Sequence, residues 1–316
     1  MAIRGKIAAI PASLLVVGIL LWHSVAPAQA PAPIQVVTTS PDLASITQEI
    51  GGDLVQVTSL TRAGENLHGM EPNAQLLDPL NRADLLIQNG LNLEGSWLER
   101  LVRNTANRKI QEGASGRLNT SSAVVQFITD EVDASSENQG THAGGNPHFM
   151  LDPRKAIEVA DLIRETLTTL RPAYENQFLS RFDTFDDNLR SFRKIQEIRF
   201  RALPKAHRKI GAYGYVWPYF ADWLNLTIAT TLEPSPGVSP MVKGADQLKG
   251  ELKASGTSLV LMASFQPRES IQNIVQMSGC ALLPLRIYPN FRSGETYIEH
   301  LRDLSKVVHE RLSSSR

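Results

Sequence analysis

Among 316 residues there is one cysteine, Cys280, and there are seven histidines. Without a second thiol, a disulfide framework, a CxxC zinc ribbon and an iron–sulfur centre are excluded. Any metal must therefore be held by imidazole, carboxylate or water. His23 lies in the N-terminal apolar segment. His207, His300 and His309 stand among charged residues of helical pattern, where solvated rings are expected. That leaves His68, His142 and His148, each in a stretch rich in Gly, Pro or Asn, the kind of loop in which scaffolds present functional side chains. His68 lies in Ala63-Gly64-Glu65-Asn66-Leu67-His68-Gly69-Met70-Glu71-Pro72, and His148 in Gly144-Gly145-Asn146-Pro147-His148-Phe149-Met150-Leu151-Asp152-Pro153. Spacing goes no further, because neither frame is an HExxH or CxxC signature.

The elements that must position these loops alternate between strand and helix. Ile34 to Thr39 reads as a buried strand, and Ser40-Pro41-Asp42 starts a helix carrying Leu43, Ile46 and Ile50 until Gly51-Gly52 stops it. Leu54 to Val57 is a second strand, Asp78 to Ala83 a helix, Asp84 to Gln88 a third strand and Gly95 to Asn104 a helix. Ser115 to Ser122 and Asp130 to Asn146 read as loops. From Asp152 a long helical stretch runs to Ile198, with Pro172 interrupting it. Lys209 to Tyr213 restarts the alternation, followed by strands at Leu226 to Thr231, Ser258 to Met262 and Ala281 to Leu283 and helices at Ser270 to Ser278 and Thr296 to Leu312. Strands alternating with helices mean βαβ units and parallel sheets. His68 and His148 then lie at the carboxyl ends of βα regions, where open α/β sheets place their ligands. The expected fold is α/β, two βα lobes with parallel central sheets bridged by one long helix. No internal repeat of fixed period is visible.

Thirty-two basic residues balance thirty-two acidic ones, which removes the electrostatic footprint of a nucleic-acid binder. Arg4 and Lys6 precede an apolar run from Ile7 to Trp22, and Ala28-Gln29-Ala30 supplies an A-x-A cleavage pattern. The run is short of the roughly 20 residues that span a bilayer. A cleavable signal peptide over 1–30 is expected, giving a periplasmic protein with no stable membrane insertion; an uncleaved anchor is the alternative. No cysteine near the junction offers a site for lipid attachment. The expected organisation is an N-terminal lobe over 31–150, a linking long helix over 151–203 and a C-terminal lobe over 204–316.

Five blocks, in order, carry a family resemblance. They are Val36-Val37-Thr38-Thr39-Ser40-Pro41-Asp42-Leu43-Ala44, His68-Gly69-Met70-Glu71-Pro72, Ala83 to Glu94 with its ADL, NG and LE elements, Gly145 to Pro153 in the form GNPH-x-x-LDP, and Glu233-Pro234-Ser235-Pro236-Gly237-Val238-Ser239-Pro240. The chain resembles the metal-specific solute-binding proteins of ABC importers, the cluster that binds zinc, manganese or iron outside the membrane. The resemblance implies two lobes around a rigid helix and a monomer that delivers a divalent metal ion, Zn2+ first and Mn2+ next, to an ABC transporter permease. It places His68 and His148 among the ligands.

The family's third ligand is a residue of a YH-x-x-WPYF pattern; here Tyr213-Gly214-Tyr215-Val216-Trp217-Pro218-Tyr219-Phe220 puts Gly214 at that position. The fourth, an Asp near the last strand, has no counterpart in Leu285-Arg286-Ile287-Tyr288-Pro289-Asn290-Phe291-Arg292. Two imidazoles with water would bind zinc more weakly than four ligands. Three outcomes stay open: His142, with Glu65, Glu71 and Glu233 behind it, completes the site; an exogenous ligand completes it, with Arg286 and Arg292 favouring an anion; or the fold survives as a binding or adhesion module without metal. GxSxG, HExxH, a P-loop and GxGxxG are absent in usable context, so an enzyme is not expected.

Overall fold

Runs of three to five residues, most of them β-branched or aliphatic, become the strands of two parallel sheets. The computed structural model describes Ala2 and residues 32–71, 73–129, 144–235, 237–269 and 271–314. The expected signal segment and His142 lie outside the described residues. The described residues from Pro33 onward form one compact unit.

In the first sheet β1 (Ile34–Thr38) is flanked by β2 (Val55–Ser59) and β3 (Leu85–Gln88), and β4 (Arg117–Asn119) closes the edge, in the order β2-β1-β3-β4. In the second, β5 (Lys209–Ala212), β6 (Thr227–Thr231), β7 (Leu259–Ala263) and β8 (Ala281–Leu285) take the order β6-β5-β7-β8. Every pairing is parallel, with Val36 opposite Val57 and Leu85, and Gly211 opposite Val260. The two halves thus repeat one topology that no sequence periodicity reveals. Parallel strands are covered on both faces and read as unbroken apolar runs. In β7 all five residues are buried, Leu259 and Leu261 joining one core cluster and Val260 and Met262 another.

Helices α1 (Pro41–Gly51), α2 (Leu77–Arg82) and α3 (Gly95–Arg103) belong to the first lobe, and α6 (Pro218–Trp223), α7 (Ala245–Ser255), α8 (Gln272–Met277) and α9 (Tyr297–Ser313) to the second. Between them run α4 (Pro153–Leu170) and α5 (Glu175–Arg201). Asp152 caps α4, its side chain accepting the Arg154 N–H at 2.8 Å. The one linking helix expected over 151–203 is corrected to two, broken at the Pro172 interruption already visible in the sequence. Pro172 has no N–H to offer a continuing helix, and Arg171 before it takes φ −143°, ψ 72°, outside the helical region. The bridge is α5 alone, 27 residues and about 40 Å long. Near its start Arg181 bonds Gly51 O and Asp53 of the first lobe, at 2.8 and 2.6 Å. Toward its end Phe192 packs on Trp223 and Phe200 on His309 of the second. One core cluster runs under both sheets and α5.

Two further expectations are corrected. Residues 115–122 contain β4, a three-residue edge strand whose polar Arg117 and Asn119 hid it. His300 is 4% exposed rather than solvated. It stands on the same stripe of α9 as Tyr297, Leu301 and Leu304, with Nδ1 3.2 Å from Glu295, and burial lowers its pKa.

Candidate metal centre

Both candidate histidines are presented by the same local device. Asn66 and Asn146 each stand two residues before a histidine, and each side-chain oxygen accepts that histidine's backbone N–H, at 3.1 Å for His68 and 2.9 Å for His148. Asparagine bonding the backbone two residues on sets a tight turn without regular structure. Leu67, buried between Asn66 and His68, anchors the first loop, and Trp97 Nε1 donates to its carbonyl at 2.7 Å. The second loop enters through Gly145 at φ +124°, where a Cβ would come within 2.6 Å of Phe127. It is then clamped from both lobes. Asn146 N–H donates to Ile128 O at 2.8 Å and Asn146 Nδ2 to Tyr215 O at 2.6 Å, while Asn89 Nδ2 donates to Pro147 O at 3.0 Å.

Asn89 is itself held by a buried acid. Glu94 accepts from Thr39 Oγ1 and from Asn89 N, both at 2.6 Å, and from Gly90 N at 3.1 Å. The NG and LE elements of the third block are therefore a buried frame behind His148. Burial raises the Glu94 pKa and brings Asp42 up to about 6, although Ser40 and the Leu43 N–H oppose the shift at Asp42. Tyr288 reaches the same region and lines a cavity of about 10 Å³, about one water in size, with Asp42, Asn89 and His148. In the segment where the resemblance expects a fourth carboxylate, Tyr288 is a buried side chain.

The outcome of these constraints is a pair of imidazoles, His68 Nε2 standing 3.4 Å from His148 Nε2 with the rings inclined at 73°. His148 is 6% exposed and His68 half-buried. Two nitrogens each about 2.0–2.1 Å from one ion subtend a tetrahedral angle when they are about 3.4 Å apart. The pair therefore has the spacing of two corners of a zinc tetrahedron. It opens into a cavity of about 230 Å³ whose first-lobe wall holds Asn66, His68 and His148 and whose second-lobe wall includes Tyr215, Glu233, Phe265 and Gln266.

The fallback carboxylates separate cleanly. Glu65 accepts the Arg62 N–H at 2.8 Å in its own loop, Glu71 is exposed, and neither lines this cavity. Glu233 does line it, and burial lifts its pKa to about 7 against the opposing Gly237 N–H. Among the described residues no three His, Cys, Asp or Glu side chains already converge closely enough to enclose an ion. Arg286, expected to favour an anion, is paired with Glu295 at 2.9 and 3.2 Å. The positioning residues Asn66, Asn89, Glu94 and Asn146 escaped the sequence reading. The signal that finds two of them is the repeated Asn-x-His spacing.

The family profile described as ZnuA, zinc-uptake complex component A periplasmic, matches residues 36–310. The iron-binding protein YfeA of Yersinia pestis is 25% identical over 195 residues, 60% of this chain and 58% of YfeA. The chain spans about three fifths of the length of the curated relatives it matches. Among solved structures, a deletion mutant of ZnuA with zinc bound superposes with a TM-score of 0.74 at 21% identity, covering 90% of this chain and all of that one. The SBP FpvC of Pseudomonas aeruginosa in complex with Mn2+ gives 0.75 at 22%, covering 90% and 100%.

Proposed function

The chain belongs to the ZnuA family of periplasmic zinc-uptake components, and on that premise we propose that it captures a divalent metal ion between its lobes and delivers it to an ABC transporter permease. Members of the family are substrate-binding transport proteins rather than enzymes. Zinc is the favoured cargo and manganese the next. The observation that carries this reading is the 3.4 Å separation of the His68 and His148 Nε2 atoms on the wall of an inter-lobe cavity. That spacing suits a tetrahedral ion, and neutral imidazole favours zinc over the harder, oxygen-seeking manganese. Relatives named for iron and solved with zinc or manganese show how far cargo varies on this fold. Export to the periplasm is supported by the basic, apolar and A-x-A pattern over residues 1–30. Among the described residues no helix is long and apolar enough to cross a membrane.

Calorimetric titration of chelator-stripped protein with Zn2+ and Mn2+ tests the proposal. Near-stoichiometric zinc uptake is expected, with His148→Ala and His68→Ala each weakening it by more than about 100-fold, beyond the cost of losing an outer partner. Absence of binding by any first-row metal below millimolar concentration would remove the reading, as would indifference to the double histidine variant.

A further inference from the structure

We infer that Glu233 is the ligand the second lobe supplies, admitted to the site by the missing side chain at Gly214. This rests on the metal-capture reading and names the group that completes it. Gly214 stands two residues beyond the end of β5, and Glu233 two residues beyond the end of the neighbouring β6. The parallel ladder continues past both strand ends. Leu232 N–H donates to Ala212 O at 2.8 Å, and Glu233 N–H to Tyr213 O at 3.3 Å. The backbone of Glu233 is thereby fixed beside the Tyr213–Gly214 peptide, with its side chain on the cavity wall across from the two imidazoles.

The two positions compete for one volume. A Cβ on Gly214 would come within 2.7 Å of Glu233 Oε2 and 3.1 Å of its Cδ. Real Cβ contacts essentially never fall below 3.0 Å, so a side chain at 214 obliges the carboxylate end to shift from this placement. Gln266 Nε2 approaches the same point, at 2.9 Å. Its Oε1 is occupied by the Ala263 N–H at 2.8 Å, so the end it turns to the cavity is an NH₂ group, which has no lone pair to give a cation. The carboxylate is the donor available there. It is half-buried, and among the described residues no Lys or Arg pairs with it.

Two imidazoles and one carboxylate make a three-ligand set with one position left for water, a familiar pattern for an open zinc site. The carboxylate offsets half the charge of a dication that neutral imidazoles leave uncompensated. Because the three groups do not already converge, the ion is held first by the histidines and Glu233 then swings onto it, tying the second lobe to the first.

The test is zinc titration of the chelator-stripped full chain in four forms: wild type, Glu233→Gln, Gly214→Ala and His148→Ala. Glu233→Gln keeps the shape and removes the charge, and a loss of zinc affinity above about 100-fold is expected, beyond what removing an outer-shell partner costs. Gly214→Ala removes no polar group, yet its methyl takes the volume that the ends of Glu233 and Gln266 now share and obliges them to shift, so a loss of about tenfold is expected there too. It also carries the test should Glu233→Gln fail to fold. If both variants stay within tenfold of wild type while His148→Ala abolishes binding, the role of Glu233 is refuted and metal capture stands. If His148→Ala is also without effect, the capture reading itself falls.

Discussion

Asn146 shows how much one residue does for this site. It is fully buried, and its oxygen fixes the His148 backbone while its amide group reaches across to Tyr215 O, next to Gly214. The same side chain therefore sets the second imidazole and ties its loop to the opposing lobe. A buried donor or acceptor left without a partner costs about 1–3 kcal/mol, and loss of an outer-shell partner costs a metal site about 10–100-fold. Asn146→Ala is expected to lower the melting temperature by an amount corresponding to about 2 kcal/mol and to weaken zinc binding within that range. Unchanged affinity would show that His148 is positioned by Asn89 and the helix behind it alone. At this scale the sequence was partly legible. Glycine and proline framing singled out His68 and His148, 80 residues apart. The competition between Gly214 and Glu233 was not legible, because no periodicity reports that two positions 19 residues apart share one volume.

Helix α1 carries the clearest pH dependence among the elements. Ser45 Oγ accepts the Tyr297 N–H at 2.8 Å, docking the start of α9 on α1, and donates to Glu49 at 3.2 Å. Burial pushes the Glu49 pKa from 4.5 to about 7, with the nearby Glu299 charge adding to the rise and the Ser45 and Tyr297 hydrogen bonds opposing it. An acid whose pKa is raised by folding binds its proton more tightly in the native state. Its contribution is complete below pH 4.5 and is lost as pH rises through about 7. Glu49→Gln is expected to raise stability at pH 8, on the order of 2 kcal/mol, and to flatten the fall in melting temperature between pH 5 and 8. Melting curves across that range check it, and an unchanged slope would place Glu49 in water. His300 acts in the opposite sense, its lowered pKa costing stability as the ring protonates on acidification. Elements with strong apolar runs were legible, β1, β3 and β7 among them. Those made by tertiary context were not: β4 exists because Leu86 N–H finds Gly116 O and the ladder continues along Arg117–Asn119.

Across the whole molecule, two sheets of identical strand order share one apolar core with α5, so the lobes are held by the same packing that stabilises each. The long helical pattern was readable as a connector, and Pro172 as an interruption. That the chain breaks there into two packed helices, leaving α5 alone to bridge, needed the backbone. The cleft lies at the carboxyl ends of both sheets, His68 following β2 and Glu233 following β6. An ion bound there would be the one point at which both lobes donate to the same centre. Anomalous diffraction at the zinc edge from crystals of the zinc-loaded protein tests this most directly. The account expects a single strong inter-lobe peak about 2.0–2.1 Å from Nε2 of both His68 and His148 and about 2.0–2.2 Å from a Glu233 carboxylate oxygen. A zinc-loaded crystal with its peak elsewhere, away from both imidazoles, would contradict it.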